Sequence, residues 1–245
     1  MLGKSLKWVW DLIFPKHCLG CQTEGTYLCP KCRNNLTVKK SVACPTCGRR
    51  SPDGRLCSRC RKKRGSPLAG LLVAADWENL LLRRLIYAYK YSIIKELCLP
   101  LSEIMVNFLK TAKPTSWGAA ENIIFIPVPL HPRRQVWRGF NQSELLAKIV
   151  AQNFSTEFRN DIVCRSRHTF PQMELDNPLS RRDNIKNAFA LNPKLSPESF
   201  SEILKNKIVV LVDDVATTTA TLEECARALK PLKPKEIWGL VIARG

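Results

Sequence analysis

The stretch that decides the fold is residues 208–221, which read IVVLVDDVATTTAT. Its apolar first half is typical of a parallel strand that is covered on both faces. The residues after it place apolar side chains at Leu222, Cys225, Ala226 and Leu229, which is the spacing of an amphipathic helix. The sequence therefore predicts a buried strand, two adjacent acids, a hydroxyl-rich loop and a helix.

The two acids and the loop suit different parts of one ligand. Asp213 and Asp214 end the predicted strand, at the edge where open α/β sheets bind ligands. Carboxylates only accept hydrogen bonds, so this pair can receive both hydroxyls of a ribose diol, whereas a loop that enters a helix N-terminus suits a phosphate. The alternative, a strand end with a helix cap, explains one Asp but not two. We expect a sugar phosphate here, with its phosphate on Thr217, Thr218, Thr219, Ala220 and Thr221.

Strands and helices alternate over most of the remaining chain. The other predicted strands are 71–77, 123–128, 161–164 and 237–243, and the other predicted helices are 79–91, 97–109, 178–189 and one that begins at Asn141. Such alternation is typical of an α/β fold with a mostly parallel sheet and flanking helices.

A second loop that follows a predicted strand is rich in arginine. Residues 129–142 read PLHPRRQVWRGFNQ and contain Arg133, Arg134 and Arg138. Arginine binds phosphate bidentately, so this loop is predicted to hold a pyrophosphate, with an exposed basic turn as the alternative. We expect His131 to support the turn rather than to act as a base.

A long polar segment, residues 165–189, precedes one of the predicted helices. Long loops in compact domains are usually functional or disordered, and a lid over a reacting sugar must exclude water. The lid residues predicted here are Arg167, Gln172 and Arg181, and an ordinary exposed polar loop explains them equally well.

Eight of the eleven cysteines form four C-x-x-C pairs. This spacing lets both sulfurs of a tight turn reach one tetrahedral ion, and two closed four-thiolate sites would be structural zinc sites rather than catalytic ones. Gaps of seven and nine residues favour sequential sites, although an interleaved pairing stays open. The sequential sites would be Cys18, Cys21, Cys29 and Cys32 for one ion, and Cys44, Cys47, Cys57 and Cys60 for the other.

Positive charge is concentrated in the cysteine-rich part. Residues 1–66 carry 15 Lys and Arg against 3 Asp and Glu, a net +12 of the chain's +18. We expect residues 1–66 to form an N-terminal helix and a zinc module that faces nucleic acid or an acidic partner, with a solvated basic surface as the alternative. Residues 67–245 are expected to form the α/β domain.

The chain's first residues and its hydropathy favour a cytoplasmic protein. No stretch approaches 18 apolar residues without a charge, so no transmembrane segment is expected. Residues 1–14 lack a signal-peptide cleavage site and predict a short amphipathic helix that packs on the protein, with a membrane surface as the alternative partner.

Several motifs resemble those of a known family. The DD-x-x-TT-x-x-T pattern at 213–221 is similar to the phosphoribosyl diphosphate signature of type I phosphoribosyltransferases. The blocks IPVPLHPRR at 126–134, RGFNQ at 138–142 and VDD at 212–214, together with the cysteine pairs, resemble the competence-associated ComF/GntX family over nearly the whole chain.

The resemblance implies a type I phosphoribosyltransferase fold that binds phosphoribosyl diphosphate with Mg²⁺. By this resemblance, Asp213 and Asp214 would hold the ribose hydroxyls, and the loop that follows them would hold the 5-phosphate. It also implies a role with single-stranded DNA and DNA-uptake or recombination proteins in natural transformation. Two functions are therefore expected, an enzyme that transfers a phosphoribosyl group or a non-catalytic DNA-binding protein that uses its basic zinc module.

One position departs from the pattern of the family. The phosphate loop of the family usually has glycine where this chain has Thr219. Glycine takes positive φ freely and a β-branched residue rarely does. Thr219 is expected either to be strained or to add a hydroxyl in a helical conformation, and both alternatives put the affinity for the 5-phosphate in question.

Overall fold

A computed structural model describes residues 15–39, 42–49, 51, 53–167, 184–194 and 202–245. The predicted N-terminal helix at 1–14 and the predicted lid residues Gln172 and Arg181 lie outside the described residues, as does the first half of the predicted helix at 178–189. The second half is described, and the prediction is wrong at its end, because residues 186–187 form a turn and Phe189 begins a strand. No helix in the described part of the chain is long and apolar enough to cross a membrane.

The described strands form one main sheet and one small pair. They are β1 (Gly70–Asp76), β2 (Ile123–Pro127), β3 (Glu157–Phe158), β4 (Val163–Arg165), β5 (Phe189–Leu191), β6 (Ile208–Ala216) and β7 (Glu236–Arg244). The main sheet has the order β1-β7-β6-β2-β3 and all of its pairs are parallel, whereas β4 and β5 pair antiparallel. The α/β fold with a mostly parallel sheet is confirmed.

Helices flank the main sheet. The described helices include α1 (Pro30–Asn34), α2 (Ser58–Arg64), α3 (Leu80–Tyr91), α4 (Cys98–Ala112), α5 (Pro132–Arg138), α6 (Gln142–Asn153) and α7 (Ala220–Leu229). One face of the sheet packs against α3, α4 and α6, and the other packs against α7 through its predicted apolar stripe. Burial on both faces explains why the central strands read as continuous apolar runs.

The strand β6 lies between β2 and β7 and is longer than its apolar run predicts. The register pairs Asp213 with Val241 and Val215 with Ala243, so β7 carries the strand past both acids to Ala216. The acids therefore stand on a strand that is hydrogen-bonded on one side, which limits the directions that their side chains can take.

The cysteine-rich module covers the outer edge of the sheet. Val38 forms a β-bridge with Ala75 at one end of β1, and Arg55 forms another with Gly70 at the other end. Arg55 also makes an ion pair with Glu236 at 2.8 Å. An exposed parallel edge would present unpaired backbone groups, and the module satisfies part of them.

Candidate functional site

A cavity of about 430 Å³ opens at the carboxyl end of the main sheet. Its walls come from α3, α5, α6, the end of β6 and the loop that joins β6 to α7. Open parallel sheets bind ligands at this end. Residues from both predicted ligand-binding segments line it, namely Asp213, Asp214, Thr217, Thr221, Arg134 and Arg138.

The carboxylate of Asp213 is held by the first turn of α6. Its Oδ1 accepts a hydrogen bond from Ser143 Oγ at 2.9 Å and another from the backbone N–H of Asp214 at 2.9 Å. Burial, reinforced by the neighbouring charge of Asp214, raises the pKa of Asp213 to about 7. The helix is itself fixed by Asn141, whose side chain accepts from Ser143 N–H and donates to Val128 O at the end of β2.

The carboxylate of Asp214 is paired with a lysine. Lys90 Nζ, in the last turn of α3, lies 2.8 Å from Asp214 Oδ1, and both side chains are largely buried. Burial disfavours the charge on Lys90, but the adjacent carboxylate outweighs it, so the pKa of Lys90 is raised above its ordinary value. Two acids can therefore stand side by side because one of them has a fixed counter-charge.

The loop after β6 has the backbone of a glycine loop but a threonine in it. Thr219 is left-handed, with φ +63° and ψ −4°, immediately before α7. Its hydroxyl donates to Thr218 O at 2.5 Å and lies 3.2 Å from Glu223 Oε1, so it faces the protein. Of the two alternatives for this residue, the strained conformation is the one that forms, and the helical one is wrong.

The remaining loop residues are placed differently from one another. Thr217 and Thr221 line the cavity, and Ala220 is the buried first residue of α7. Thr218 Oγ1 is buried and has no hydrogen-bond partner among the described residues. A buried hydroxyl of this kind needs a hydrogen-bond partner, and an anion or a water molecule would supply one.

The arginine-rich segment is a short helix rather than a loop. Pro132 begins α5, His131 Nδ1 accepts from Arg133 N–H at 3.3 Å as its cap, and Gly139 ends it at φ +70°. The helix directs Arg134 and Arg138 to the cavity and leaves Arg133 exposed. The support role expected for His131 matches this cap, whereas the expected loop conformation is wrong over these residues.

A further arginine reaches the cavity from β4. Arg165 is 8% exposed, lines the cavity and lies with its guanidinium 5.4 Å from the ring centre of Phe189. Burial and the nearby charge of Arg134 lower the pKa of Arg165 to about 10. Two cations that repel each other in this way make a site that favours an anion between them.

Aromatic side chains continue the cavity wall toward solvent. The ring centres of Trp77 and Tyr87 are 6.2 Å apart, and those of Tyr87 and Tyr91 are 5.9 Å apart with their planes inclined by 27°. The Arg138 guanidinium lies over both Tyr91 and Trp137, at 5.6 and 5.9 Å. Tyr87, Tyr91 and Trp137 are 39%, 45% and 62% exposed. We call these five residues the aromatic–arginine stack.

The predicted lid is only partly described. Arg167 is exposed, is absent from the cavity lining and donates from Nη2 to Asn184 O at 2.7 Å. Gln172 and Arg181 fall in the undescribed segment. The lid stays a prediction.

Sequence reasoning missed Lys90, Ser143 and Arg165 as site residues. Lys90 stands in the last turn of a helix, Arg165 is the first residue of the segment predicted as a lid, and Ser143 directly follows the RGFNQ block. Only the strand order of the sheet brings them to Asp213 and Asp214. Two signals were available in the sequence: the predicted lid segment begins at Arg165, and the RGFNQ block ends next to Ser143.

The eight paired cysteines form two clusters in sequential order. In each cluster the four Sγ atoms lie within 4.8 Å of one another, as expected for ligands of a single ion. Four thiolates at this spacing suit tetrahedral Zn²⁺, which would hold each small module together as a structural ion. The clusters are Cys18, Cys21, Cys29 and Cys32, and Cys44, Cys47, Cys57 and Cys60.

Comparison with known families accounts for both parts of the chain. A double zinc ribbon domain matches residues 9–61, and a phosphoribosyl transferase domain matches residues 141–244. These matches, with the sheet and the cysteine clusters above, define a phosphoribosyltransferase-type domain that carries two zinc ribbons.

Curated relatives narrow the class to one family. The chain is 32% identical to Competence protein F of Haemophilus influenzae over 235 residues, which cover 89% of this chain and 97% of that relative. It is 32% identical to DNA utilization protein YhgH of Escherichia coli O157:H7 over 204 residues (82% and 83%), and 24% identical to Competence protein ComFC of Bacillus subtilis over 210 residues (82% and 77%). The chain belongs to the ComF/GntX family.

Proposed function

We propose that the cavity binds phosphoribosyl diphosphate together with Mg²⁺. The observation that carries the proposal is the pair of acids at the end of β6, one held by Ser143 and the other by Lys90, in the lining of a cavity that also contains arginines. Asp213 and Asp214 would accept the two ribose hydroxyls. The loop at 217–221 would receive the 5-phosphate.

The cationic wall is suited to the pyrophosphate. Arg134, Arg138 and Arg165 line the cavity, and Arg133 does not. When bound with the phosphates, Mg²⁺ would neutralise charge on the pyrophosphate, and the oxygen donors of Asp213 and Asp214 are of the type that this ion takes. The assignment therefore keeps Arg134 and Arg138 from the sequence prediction, adds Arg165 and leaves Arg133 out.

The reaction class that fits this arrangement is phosphoribosyl transfer. The bond between C1 of the ribose and the pyrophosphate breaks, the electron pair leaves with pyrophosphate, and a nucleophile of the acceptor forms the new bond at C1. The arginines would stabilise the charge of the leaving group, and the acids would fix the ribose. Catalysis here would rest on positioning and charge stabilisation.

A matched pair of neighbouring arginines tests the binding mode. Calorimetric titration of Mg²⁺–phosphoribosyl diphosphate should show at least about tenfold weaker binding for Arg134→Gln than for the wild type, because a charge-assisted contact to phosphate is lost. Arg133→Gln removes the same charge from the exposed side of α5 and should bind within about twofold of the wild type. Equal losses in both variants would contradict a pyrophosphate inside the cavity.

We propose as a second function that the protein handles single-stranded DNA in the competence process, in the cytoplasm, where its thiols stay reduced. Relatives carry the names Competence protein F and DNA utilization protein. The aromatic–arginine stack is the specific observation in favour, since exposed rings and guanidinium planes are what unpaired bases stack on. The zinc module has a net charge of about +8 once thiolates and zinc are counted, so it would attract the phosphate backbone of the DNA.

Fluorescence anisotropy with a labelled oligothymidine tests the second function. Tyr91→Ala should weaken binding about fivefold or more, because stacking is worth about 1–3 kcal/mol per base. Leu80→Ala removes an exposed apolar side chain from the same helix, outside the cavity lining, and should leave the affinity unchanged. Affinity that stays flat between low and physiological salt would exclude backbone-dominated binding to DNA.

A further inference from the structure

The phosphate loop is connected to the second zinc ribbon by an arginine. Arg244, at the end of β7, donates from Nε to Thr217 O at 3.4 Å and from Nη1 to Pro45 O. Pro45 directly follows Cys44 in the second cysteine cluster. One side chain therefore contacts the first residue of the loop and the turn that carries two zinc ligands.

The other end of the loop has its own connection to the same ribbon. The buried carboxylate of Glu223, in the first turn of α7, accepts from Ser66 Oγ at 3.1 Å through Oε1, and the same oxygen lies 3.2 Å from Thr219 Oγ1. Ser66 follows α2, the helix that contains Cys60. The threonine that stands in a left-handed conformation is thus held through Glu223 by a residue of the zinc module.

The backbone frame around these contacts is continuous. Val38, in the connection between the two clusters, bridges Ala75 on β1, which pairs with Ala243 on β7, which in turn pairs with Val215 on β6. This row runs across three strands of the sheet and ends at Val215, which directly follows Asp214. Displacement of the module would therefore be transmitted to the loop by side chains and backbone together.

We propose that the second zinc ribbon positions the phosphate loop, so that its zinc occupancy and anion binding at the loop are coupled. The loop lacks the glycine that would let it adopt its conformation without strain, and both of its ends depend on contacts to the ribbon. Coupling is reciprocal, so an anion on the loop also stabilises the ribbon with its zinc bound. Only the identity of the anion rests on the proposed function.

Thiol labelling of the zinc-loaded full chain measures the coupling without any assay of activity. Peptide mapping after alkylation gives separate rates for Cys44 and Cys47 in the second cluster and for Cys18 and Cys21 in the first. In the wild type, Mg²⁺–phosphoribosyl diphosphate should slow alkylation of the second pair at least about fivefold, the lower range of typical coupling, and leave the first pair nearly unchanged.

Three variants separate the connection from general docking of the module. Arg244→Gln and the milder Ser66→Ala each remove one contact and should each reduce the protection of Cys44 and Cys47. Arg55→Gln removes the ion pair with Glu236 at the opposite end of β7, so it loosens the same module without touching the loop. Protection should persist in Arg55→Gln, and equal loss in all three would overturn the proposed path.

The experiment also separates this inference from the proposed function. If the wild type binds no phosphoribosyl diphosphate, the proposed function fails, and inorganic phosphate is used as the probe in the same labelling experiment. Protection of the second pair by phosphate would then support the coupling with another anion. Alkylation rates that neither probe changes in the wild type would overturn the coupling.

Discussion

Lys90 Nζ lies 2.8 Å from Asp214 Oδ1, so a lysine from α3 and an acid from β6 form a largely buried ion pair inside the candidate site. The pair neutralises one of two adjacent carboxylates and leaves the other, Asp213, with neutral hydrogen-bond donors only among its described partners. The two acids are therefore chemically different before any ligand binds. This difference leads to the first two predictions.

Removal of Lys90 should destabilise the protein more than removal of a lysine from an exposed ion pair. Lys90→Met leaves the Asp214 carboxylate buried without its counter-charge, and we expect a loss of about 3 kcal/mol in the free energy of unfolding by urea. Lys39→Met is the control, since Lys39 pairs with Asp76 at 2.7 Å near solvent. The control should lose less than about 1 kcal/mol, and equal losses would show that the Lys90 pair is not effectively buried.

The stability of the protein should depend on the ionisation of Asp213. Burial raises its folded-state pKa to about 7, above the unfolded value, so the folded state binds more protons and its stability falls as pH rises between about 4 and 7. Asp213→Asn removes this dependence. The free energy of unfolding of the variant minus that of the wild type should therefore rise by on the order of 1–2 kcal/mol from pH 5.5 to pH 8, measured by chemical unfolding.

Asp76→Asn provides the comparison for that pH series, because Asp76 is an exposed acid at the end of β1. Its difference from the wild type should vary little over the same range. A constant difference for Asp213→Asn as well would mean that Asp213 is ionised in the folded protein well below neutral pH.

The left-handed threonine should reveal two opposing effects. Thr219→Ala keeps the strained backbone and loses the contact to Glu223, so we expect a loss of about 1 kcal/mol. Thr219→Gly loses the same contact but relieves the strain, and should be about 1 kcal/mol more stable than the alanine variant. Lys233, exposed and also left-handed at φ +50°, provides the control away from the site.

At that control position the same glycine-for-alanine comparison should show only the relief of strain. The free energy of unfolding by urea should be higher for Lys233→Gly than for Lys233→Ala by a similar amount. Neither variant should alter the cavity, because Lys233 does not line it. If glycine and alanine were equally stable at position 219, the threonine would not be strained in solution.

Zinc content should follow the sequential clusters. The wild type should contain two zinc ions per chain by elemental analysis, and Cys21→Ser should lose one of them, because it removes a ligand from the first cluster only. Cys98→Ser changes a cysteine outside both clusters and should retain two. Loss of both ions in Cys21→Ser would indicate shared ligands or mutual dependence of the ribbons.

The sequence predicted best what depends on local periodicity. The apolar run before Asp213 and the apolar stripe of α7 are sufficient for a buried strand followed by a helix, and the C-x-x-C spacing is sufficient for two zinc sites. Asn79 and Asn141 cap α3 and α6, close to the starts that the pattern predicts.

Features set by distant pairing were beyond the sequence pattern. Strand β6 continues past its acids because β7 pairs with it, and Lys90 and Arg165 reach the cavity through the order of the sheet. The helix α5 was missed because Pro132 and Gly139, taken as loop signals, instead start and end one short helix.

The central claim is that Asp213 and Asp214 form a sugar-phosphate site. Calorimetric titration of Mg²⁺–phosphoribosyl diphosphate into zinc-loaded wild type and into Asp213→Asn/Asp214→Asn protein tests it most directly. We predict saturable binding to the wild type and at least about a hundredfold weaker binding to the folded double variant, since each change replaces a carboxyl acceptor of the ribose by a weaker amide oxygen and adds an NH₂ donor that the hydroxyls do not need. Equal binding to both proteins, or none to the wild type, would contradict the claim.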